Sequence, residues 1–230
     1  MHSSARPGAV TYRRDVAQRL DGLELAVHRP KSPVVEELRR FRGEVIWDGG
    51  ARPAFRGADG SFADSRAADP DSYHVVLREA GQRSMVACIA IAPLESLSES
   101  VVRGWSPALS ARLLDERGLD EPAVLEAARM VVARRLRGRG LGQLLVITAF
   151  ALAQTMGRQM IWGTAGTRRN QHRLLIATGM GIREEYGRRY VPELEDTLCV
   201  VTGDPGGVPV AMQGLLAQLR SRVEQRLEAA

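Results

Sequence analysis

The stretch that decides the fold is residues 124–142, which read VLEAARMVVARRLRGRGLG. Residues 124–133 are apolar enough to form a strand, although their alanines weaken the assignment. Residues 134–142 are rich in arginine and glycine, which predicts a turn. Residues 141–156 are strongly apolar and long enough for a buried helix. The stretch therefore predicts a strand, a turn and a helix in direct succession.

The turn has the composition of an anion-binding site. Glycines at alternate positions let the backbone turn tightly and bring its N–H groups close to a ligand. The helix that follows adds unpaired N–H groups and the positive end of its dipole. Nearby arginines at 134, 135, 137 and 139 add positive charge. We expect this site to hold a pyrophosphate or phosphopantetheine arm through Arg137, Gly138, Arg139, Gly140, Leu141 and Gly142.

Two other phosphate-binding motifs fit this turn poorly. A P-loop ends in Gly-Lys-Ser/Thr, whereas Gln143 follows Gly142 here. A dinucleotide site needs the spacing G-x-G-x-x-G and an acidic residue at the end of the next strand. The glycines here are spaced G-x-G-x-G, and the strand predicted at 160–164 ends in Gly-Thr.

The rest of the chain alternates short strands and helices, which predicts an α+β fold with helices on both faces of a mixed sheet. We expect a flexible segment at 1–20, one domain at 21–203 and an amphipathic helix within 204–230. That helix is expected to pack on the domain or to form a homodimer contact. The predicted strands are 23–28, 73–79, 84–91, 160–164, 182–191 and 197–202, and the helices are 33–46, 107–117 and 169–178, with a long loop at 48–72.

The sequence Arg137-x-x-Gly140-x-Gly142 resembles the acyl-coenzyme A signature of the GNAT superfamily, Arg/Gln-x-x-Gly-x-Gly/Ala between a strand and a helix. The frame that starts at Arg135 also fits, but the first frame places the helix start better. The resemblance implies a twisted sheet in which two adjacent strands splay apart around the donor. It also implies that backbone N–H groups at Met130, Val131 and Val132 bind the pantetheine and polarise the thioester carbonyl.

Within that superfamily, Glu126 to Val132 resembles the Glu-x-x-Arg-x-x-Val strand of acyl-homoserine-lactone synthases and related N-acyl amino acid synthases. Residues 34–47 resemble the helix that leads into the acceptor-side loop of those enzymes, and residues 69–77 resemble their acidic loop and the strand that follows it. Two features depart from the pattern. Ala90 stands three residues before Pro93, where the lactone synthases carry arginine. Leu175 stands where most GNAT enzymes carry a tyrosine that protonates the leaving thiolate.

Glu126 and Arg129 are the candidate catalytic residues. Glu126 lies in an apolar strand, where an unpaired charge is costly, so it is a candidate base or one half of a structural ion pair with an arginine. Residues 126 and 129 of a regular strand point to opposite faces, so a bulge is needed to bring them together. Arg129 is expected to orient the acceptor or to pair with Asp69 or Asp71.

The resemblance implies an N-acyltransferase that moves an acyl group from acyl-CoA or acyl carrier protein to a primary amine of a small molecule, amino acid or peptide. The alternatives are a non-catalytic acyl-CoA-binding module and an autoinducer-type synthase. A net charge of +5 also permits nucleic-acid binding, but the basic residues are dispersed and no aromatic-and-basic motif is present, so no nucleic acid partner is predicted.

Composition bounds the setting. The longest apolar stretch is too short to span a bilayer, and the N-terminal sequence lacks the pattern of a secretory signal. Cys88 and Cys199 lie in separate apolar runs, which predicts buried reduced thiols and a cytoplasmic location. No metal-ligand spacing occurs, so no metal is expected.

Overall fold

A computed structural model describes residues 22–228, so the segment predicted to be flexible, 1–20, lies outside the described residues. The strands are β1 (Leu23–His28), β2 (Tyr73–Glu79), β3 (Met85–Pro93), β4 (Val124–Val132), β5 (Met160–Gly166), β6 (Met180–Ile182), β7 (Arg188–Val191) and β8 (Asp196–Gly203). The helices are α1 (Val35–Trp47), α2 (Val101–Trp105), α3 (Pro107–Arg117), α4 (Leu141–Thr155), α5 (Gln171–Ala177) and α6 (Gln213–Glu228).

The strands form one eight-stranded mixed sheet in the order β1-β2-β3-β4-β5-β8-β6, with β7 beside β6 along β8. Among the strands of residues 22–228, only β4 and β5 pair in parallel. Their pairing stops at Ala127 and Gly163, although both strands continue. Beyond these two residues the strands separate and open a cleft in the sheet.

A bulge at Arg129 interrupts the pairing of β3 with β4. Between Cys88 and Ala90 of β3, the facing segment of β4 contains one extra residue, which is the definition of a β-bulge. Arg129 in this segment has a φ of 51°, a left-handed conformation that is costly for any residue other than glycine. The alternation of faces along β4 therefore reverses at this point. Leu125 packs toward α4 before the bulge, and Met130 does so after it.

The two faces of the sheet carry different helices. One face packs on α4, which is buried along almost its whole length. The other face packs on α1 through Leu38 and Ile46, and on α2 and α3 through Val102 and Leu113. Helix α6 buries its apolar residues against α4, so this amphipathic face is used within the chain.

Most predicted elements are confirmed, with three differences. Helix α2 was not predicted, and α5 begins only at Gln171. The strand predicted at 182–191 is wrong, because a turn at Glu184–Tyr186 splits it into β6 and β7 and turns Tyr186 into the core. Both cysteines are free and buried, as predicted, and burial raises the pKa of Cys88 to about 12.

Candidate active site

A cavity of about 600 Å³ occupies the cleft between β4 and β5. This volume is within the range of small-molecule sites. Its walls are residues 127–132 of β4, the end of β5, the start of α4 and the segment from α5 to β8. Met130, Val131 and Val132, which were predicted to bind the donor through their backbone, lie along the β4 wall, past the point where β5 stops pairing.

The turn before α4 forms one end of the cavity. Gly138 and Gly140 both have left-handed conformations, with φ values of 76° and 82°, and Gly140 is the N-cap of α4. The first intrahelical donor is the N–H of Leu144, at 3.0 Å from the carbonyl oxygen of Gly140. The N–H groups of the preceding helical residues have no carbonyl to reach within the helix, so they are available to an anion.

Two glycines keep the walls of the cleft open. A Cβ on Gly142 would lie 2.9 Å from a terminal methyl of Leu174, across the cavity. A Cβ on Gly163 would lie 2.4 Å from the carbonyl oxygen of Ala127, at the last paired position of β4 and β5. The residues present therefore fit a narrow arm that runs from the turn into the cleft.

Asp48, at the end of α1, bridges the two sides of the cavity mouth. Its carboxylate accepts hydrogen bonds from Arg137 of the turn, at 3.1 Å, and from Arg169 of the β5–α5 connection. Arg137 also donates to the carbonyl oxygens of Val132 and Val45. The hydrogen bond from Arg169, followed by that from Arg137, lowers the pKa of Asp48 to about 2 even though burial opposes the shift.

Glu126 is buried and held by α2. Its carboxylate accepts hydrogen bonds from the Ser100 hydroxyl at 2.5 Å and from the N–H of Val101 at 3.1 Å. Its ion-pair partner is Arg66, at 3.6 Å, whereas Arg129 pairs with Asp64. The bulge therefore brings Glu126 and Arg129 to the same face of the sheet, but the two side chains do not pair with each other. The Glu126 side chain is 1% exposed and does not line the cavity.

Arg129 lines the cavity and belongs to a buried ion cluster with Arg42, Asp64 and Asp69. Its Nε lies 3.0 Å from Asp64, and Arg42 donates two hydrogen bonds to Asp69, at 2.9 and 2.6 Å. Nε of Arg42 also lies 3.1 Å from Asp64, a charge contact without hydrogen-bond alignment. Arg129 therefore pairs with Asp64 rather than with either predicted partner, Asp69 or Asp71, and Asp69 pairs with Arg42.

Comparisons with known proteins identify this arrangement. The family model described as "Acetyltransferase (GNAT) family" matches residues 36–179. The chain belongs to the GNAT family. It is an acyltransferase that acts on an amine acceptor. A comparison with curated protein sequences finds no match.

Solved structures share the GNAT fold. A CoA-dependent acyl-homoserine lactone synthase, BjaI, with SAM and isopentyl-CoA, has a TM-score of 0.59 at 18% identity, over 88% of this chain and 90% of that chain. TofI in a ternary complex with an inhibitor and MTA has a TM-score of 0.56 at 15% identity, over 79% of this chain and 91% of that chain. The AHL synthase LasI has a TM-score of 0.52 at 15% identity, over 82% of this chain and 96% of that chain. At these identities the likeness shows the fold.

The far end of the cavity in this GNAT enzyme is apolar. It reaches the face of the sheet that packs on α4, between Val146, Phe150, Ile161 and Val201. Leu175, which stands where most GNAT enzymes carry tyrosine, is buried and lines the same region. No hydroxyl is present at that position to protonate a thiolate.

Several polar residues at the site were not predicted. Asp48 and Asp64 belong to the loop at 48–72 or its border, and Arg52 and Asp196 line the cavity. Their only signal in the sequence is a charged residue inside a loop or at the edge of a strand. Among residues 22–228, no group of three His, Cys, Asp or Glu side chains comes together as a metal site, and no helix is both long and apolar enough to cross a membrane.

Proposed function

We propose that this GNAT enzyme transfers a medium-length acyl chain from acyl-CoA or acyl carrier protein to the primary amine of a small molecule, an amino acid or a peptide. One observation carries the proposal: a single cavity connects the glycine turn before α4 with an apolar pocket, through the cleft between β4 and β5. An acyl thioester has the same sequence of parts, with anionic phosphates, a narrow pantetheine arm and an apolar chain.

The apolar pocket supports an acyl group longer than acetyl. Phe150, Ile161 and Val201 belong to the apolar core on the α4 side of the sheet, so a chain placed between them is surrounded by apolar side chains. Each buried methylene contributes about 0.8 kcal/mol, or roughly a fourfold gain in affinity. Affinity is therefore expected to rise along a series of acyl-CoAs until the pocket is filled.

The polar end of β4 supports orientation of both substrates. Backbone N–H groups at Met130 to Val132 are proposed to hold the pantetheine and the thioester carbonyl, where negative charge develops during attack. Arg129 is proposed to orient the acceptor, since it lines the cavity and its side chain stays 27% exposed beside Asp64. Glu126 as the base stays a prediction, and its present hydrogen bonds anchor β4 to α2.

Two donors share the chemistry of the anion turn. BjaI is a CoA-dependent enzyme whose structure contains isopentyl-CoA, which favours coenzyme A as the donor here. The arginines at 134–139 also suit the acidic surface of an acyl carrier protein. Buried reduced thiols at Cys88 and Cys199 fit a reducing compartment, so we propose the cytoplasm as the location.

The test is a chain-length series of acyl-CoAs from C2 to C12, measured by calorimetric binding and by thiol release with a panel of primary amines. We expect amine-dependent release with an optimum beyond acetyl. Binding without amine-dependent release by any donor in the series would identify a non-catalytic acyl-CoA-binding module instead. The same amines with acyl carrier protein as donor decide between the two thioesters by kcat/KM.

A further inference from the structure

Asp196 provides the one carboxylate that lines the cavity among the described residues. It is the first residue of β8 and is 7% exposed. Alternation along β8 places it on the face of Val200, which packs with Trp162 in the cluster on the α2 and α3 side of the sheet. Asp196 therefore lies on the same face as Arg129 and opposite to the apolar pocket.

The two oxygens of Asp196 have different surroundings. Oδ1 accepts hydrogen bonds from the N–H groups of Thr167 and Arg168, at 3.2 and 2.9 Å, and so fixes the connection from β5 to α5. Oδ2 accepts no hydrogen bond from any residue in the described range 22–228. One oxygen therefore has a structural role, whereas the other is left for a ligand.

Gly166 explains why Oδ2 can reach the end of β5. A Cβ at Gly166 would lie 2.4 Å from Oδ2, so any other residue would push the carboxylate away. The nearby Arg52 does not neutralise it directly, because its guanidinium donates to the carbonyl oxygens of Leu194 and Ile46. Arg52 interacts with Asp196 through charge alone, and a carboxylate oxygen without a hydrogen bond beside a substrate cavity favours a cationic ligand.

The other carboxylates near the cleft already form ion pairs or hydrogen bonds within the protein. Asp48 binds Arg137 and Arg169, and Asp64 pairs with Arg42 and Arg129. The carboxylate of Glu126 accepts hydrogen bonds from α2 and lies outside the cavity wall. Among the described residues, this leaves Asp196 as the acidic group that an incoming ammonium meets.

We propose that Oδ2 of Asp196 binds the ammonium group of the acceptor and takes one of its protons, which frees the nitrogen lone pair for attack. This inference rests on the proposed N-acyltransferase function. The nitrogen lone pair forms the new N–C bond at the thioester carbonyl, and the C–S bond breaks with its electron pair on sulfur. Of the two protons that the ammonium loses, Asp196 takes one and the thiolate takes the other, so the products are an amide and a free thiol.

The test compares a charged with an uncharged nucleophile in the same variants. Octanoyl-CoA is the donor, and the acceptors are a panel of amino acids and alkylamines, protonated at pH 7.5, and hydroxylamine, which is neutral at that pH. Asp196→Asn keeps Oδ1 as an acceptor for Thr167 and Arg168 but removes the negative charge at Oδ2. Glu195→Gln removes the neighbouring exposed charge, which pairs with Arg168, and serves as the matched control.

For Asp196→Asn we expect kcat/KM with protonated amines to fall about 100-fold, the scale of a general base or a lost charge-assisted hydrogen bond. Transfer to hydroxylamine and the Kd of octanoyl-CoA should stay within about threefold of wild type, and Glu195→Gln should resemble wild type. Asp196→Ala, which also removes the Oδ1 contacts, should additionally lower the melting temperature.

Four results would overturn the inference. If Asp196→Asn has the same kcat/KM as the wild-type enzyme, the negative charge of Asp196 is not used. If only Glu126→Gln loses activity, Glu126 and not Asp196 is the base that accepts the proton. Equal losses with both nucleophiles, together with weaker octanoyl-CoA binding, would reduce Asp196 to a structural role. If wild-type protein binds octanoyl-CoA but releases no thiol with any nucleophile, the proposed function fails first and the inference fails with it.

Discussion

Replacing Gly140 by alanine is expected to separate donor binding from folding. Gly140 is the N-cap of α4 and has a φ of 82°. Gly157, just beyond the other end of α4, has a φ of 66°, and no atom outside its neighbours lies within 4 Å of an added Cβ. Alanine at either position has the same conformational cost of about 1–2 kcal/mol. Gly157→Ala is therefore the matched control for strain.

The two variants should differ in their affinity for the donor. Relief of strain at Gly140 turns the following N–H groups of α4 away from the bound anion. Losing one charge-assisted hydrogen bond costs about 1.5–3 kcal/mol, which is roughly a 10- to 150-fold weaker Kd. Gly157→Ala should bind the donor like wild type, because it lies at the opposite end of the helix.

Calorimetric titration with octanoyl-CoA and urea unfolding measure the two quantities in parallel. Both variants should lose similar free energy of unfolding, and only Gly140→Ala should lose affinity. If both variants retain the wild-type Kd, the turn before α4 does not hold the donor. If both lose affinity equally, the loss reflects destabilisation rather than the geometry of the turn.

Three further predictions concern buried or bridging charges. Asp48→Asn should tighten octanoyl-CoA binding severalfold at low salt, because it frees the positive charge of Arg137 and Arg169; an unchanged Kd at all salt concentrations would contradict this. Burial lowers the pKa of His74 below 6.5, so neutral His74 contributes its full stabilisation above pH 6.5, and this stabilisation is lost as the pH falls toward the folded-state pKa. The urea midpoint of unfolding should therefore fall at acidic pH, and His74→Gln should make that fall smaller. Arg42→Met leaves Asp69 without its main buried partner and should cost about 3–5 kcal/mol in urea unfolding, whereas a loss below about 1 kcal/mol would show that Arg39 compensates.

The fold follows from local patterns that the sequence displays directly. The order of strand, turn and helix at 124–142, the hairpin of β2 and β3, and the helix Pro107–Arg117 all lie where periodicity and turn residues predicted them. The prediction of one continuous strand at 182–191 was wrong because tertiary contacts determine the backbone conformation there. Tyr186 is drawn into the core beside α3, and the backbone must leave the strand to allow this.

The site was only partly predictable, because its polar residues come together through long-range contacts. The turn at Arg137 to Gly142 carries its signal within six residues. Asp48 binds Arg137 of this turn and Asp196 lines the same cavity, but both come from segments that are distant in sequence, and neither has a motif of its own. The bulge at Arg129 depends on the register of β3 and β4, which periodicity within β4 cannot show.

The bulge at Arg129 reverses which sequence positions of β4 face α4. Upstream of it, odd-numbered positions face α4, as Leu125 does, whereas downstream the even-numbered Met130 and Val132 do. Deleting Arg129 would restore regular pairing with Ala128 still opposite Ala90 and Val131 still opposite Cys88, so the later positions would keep their faces. A regular strand that kept all nine residues would instead move Val131 from the cluster under α1 to the apolar side. The one extra residue of the bulge therefore decides which side chains in the second half of β4 face α4.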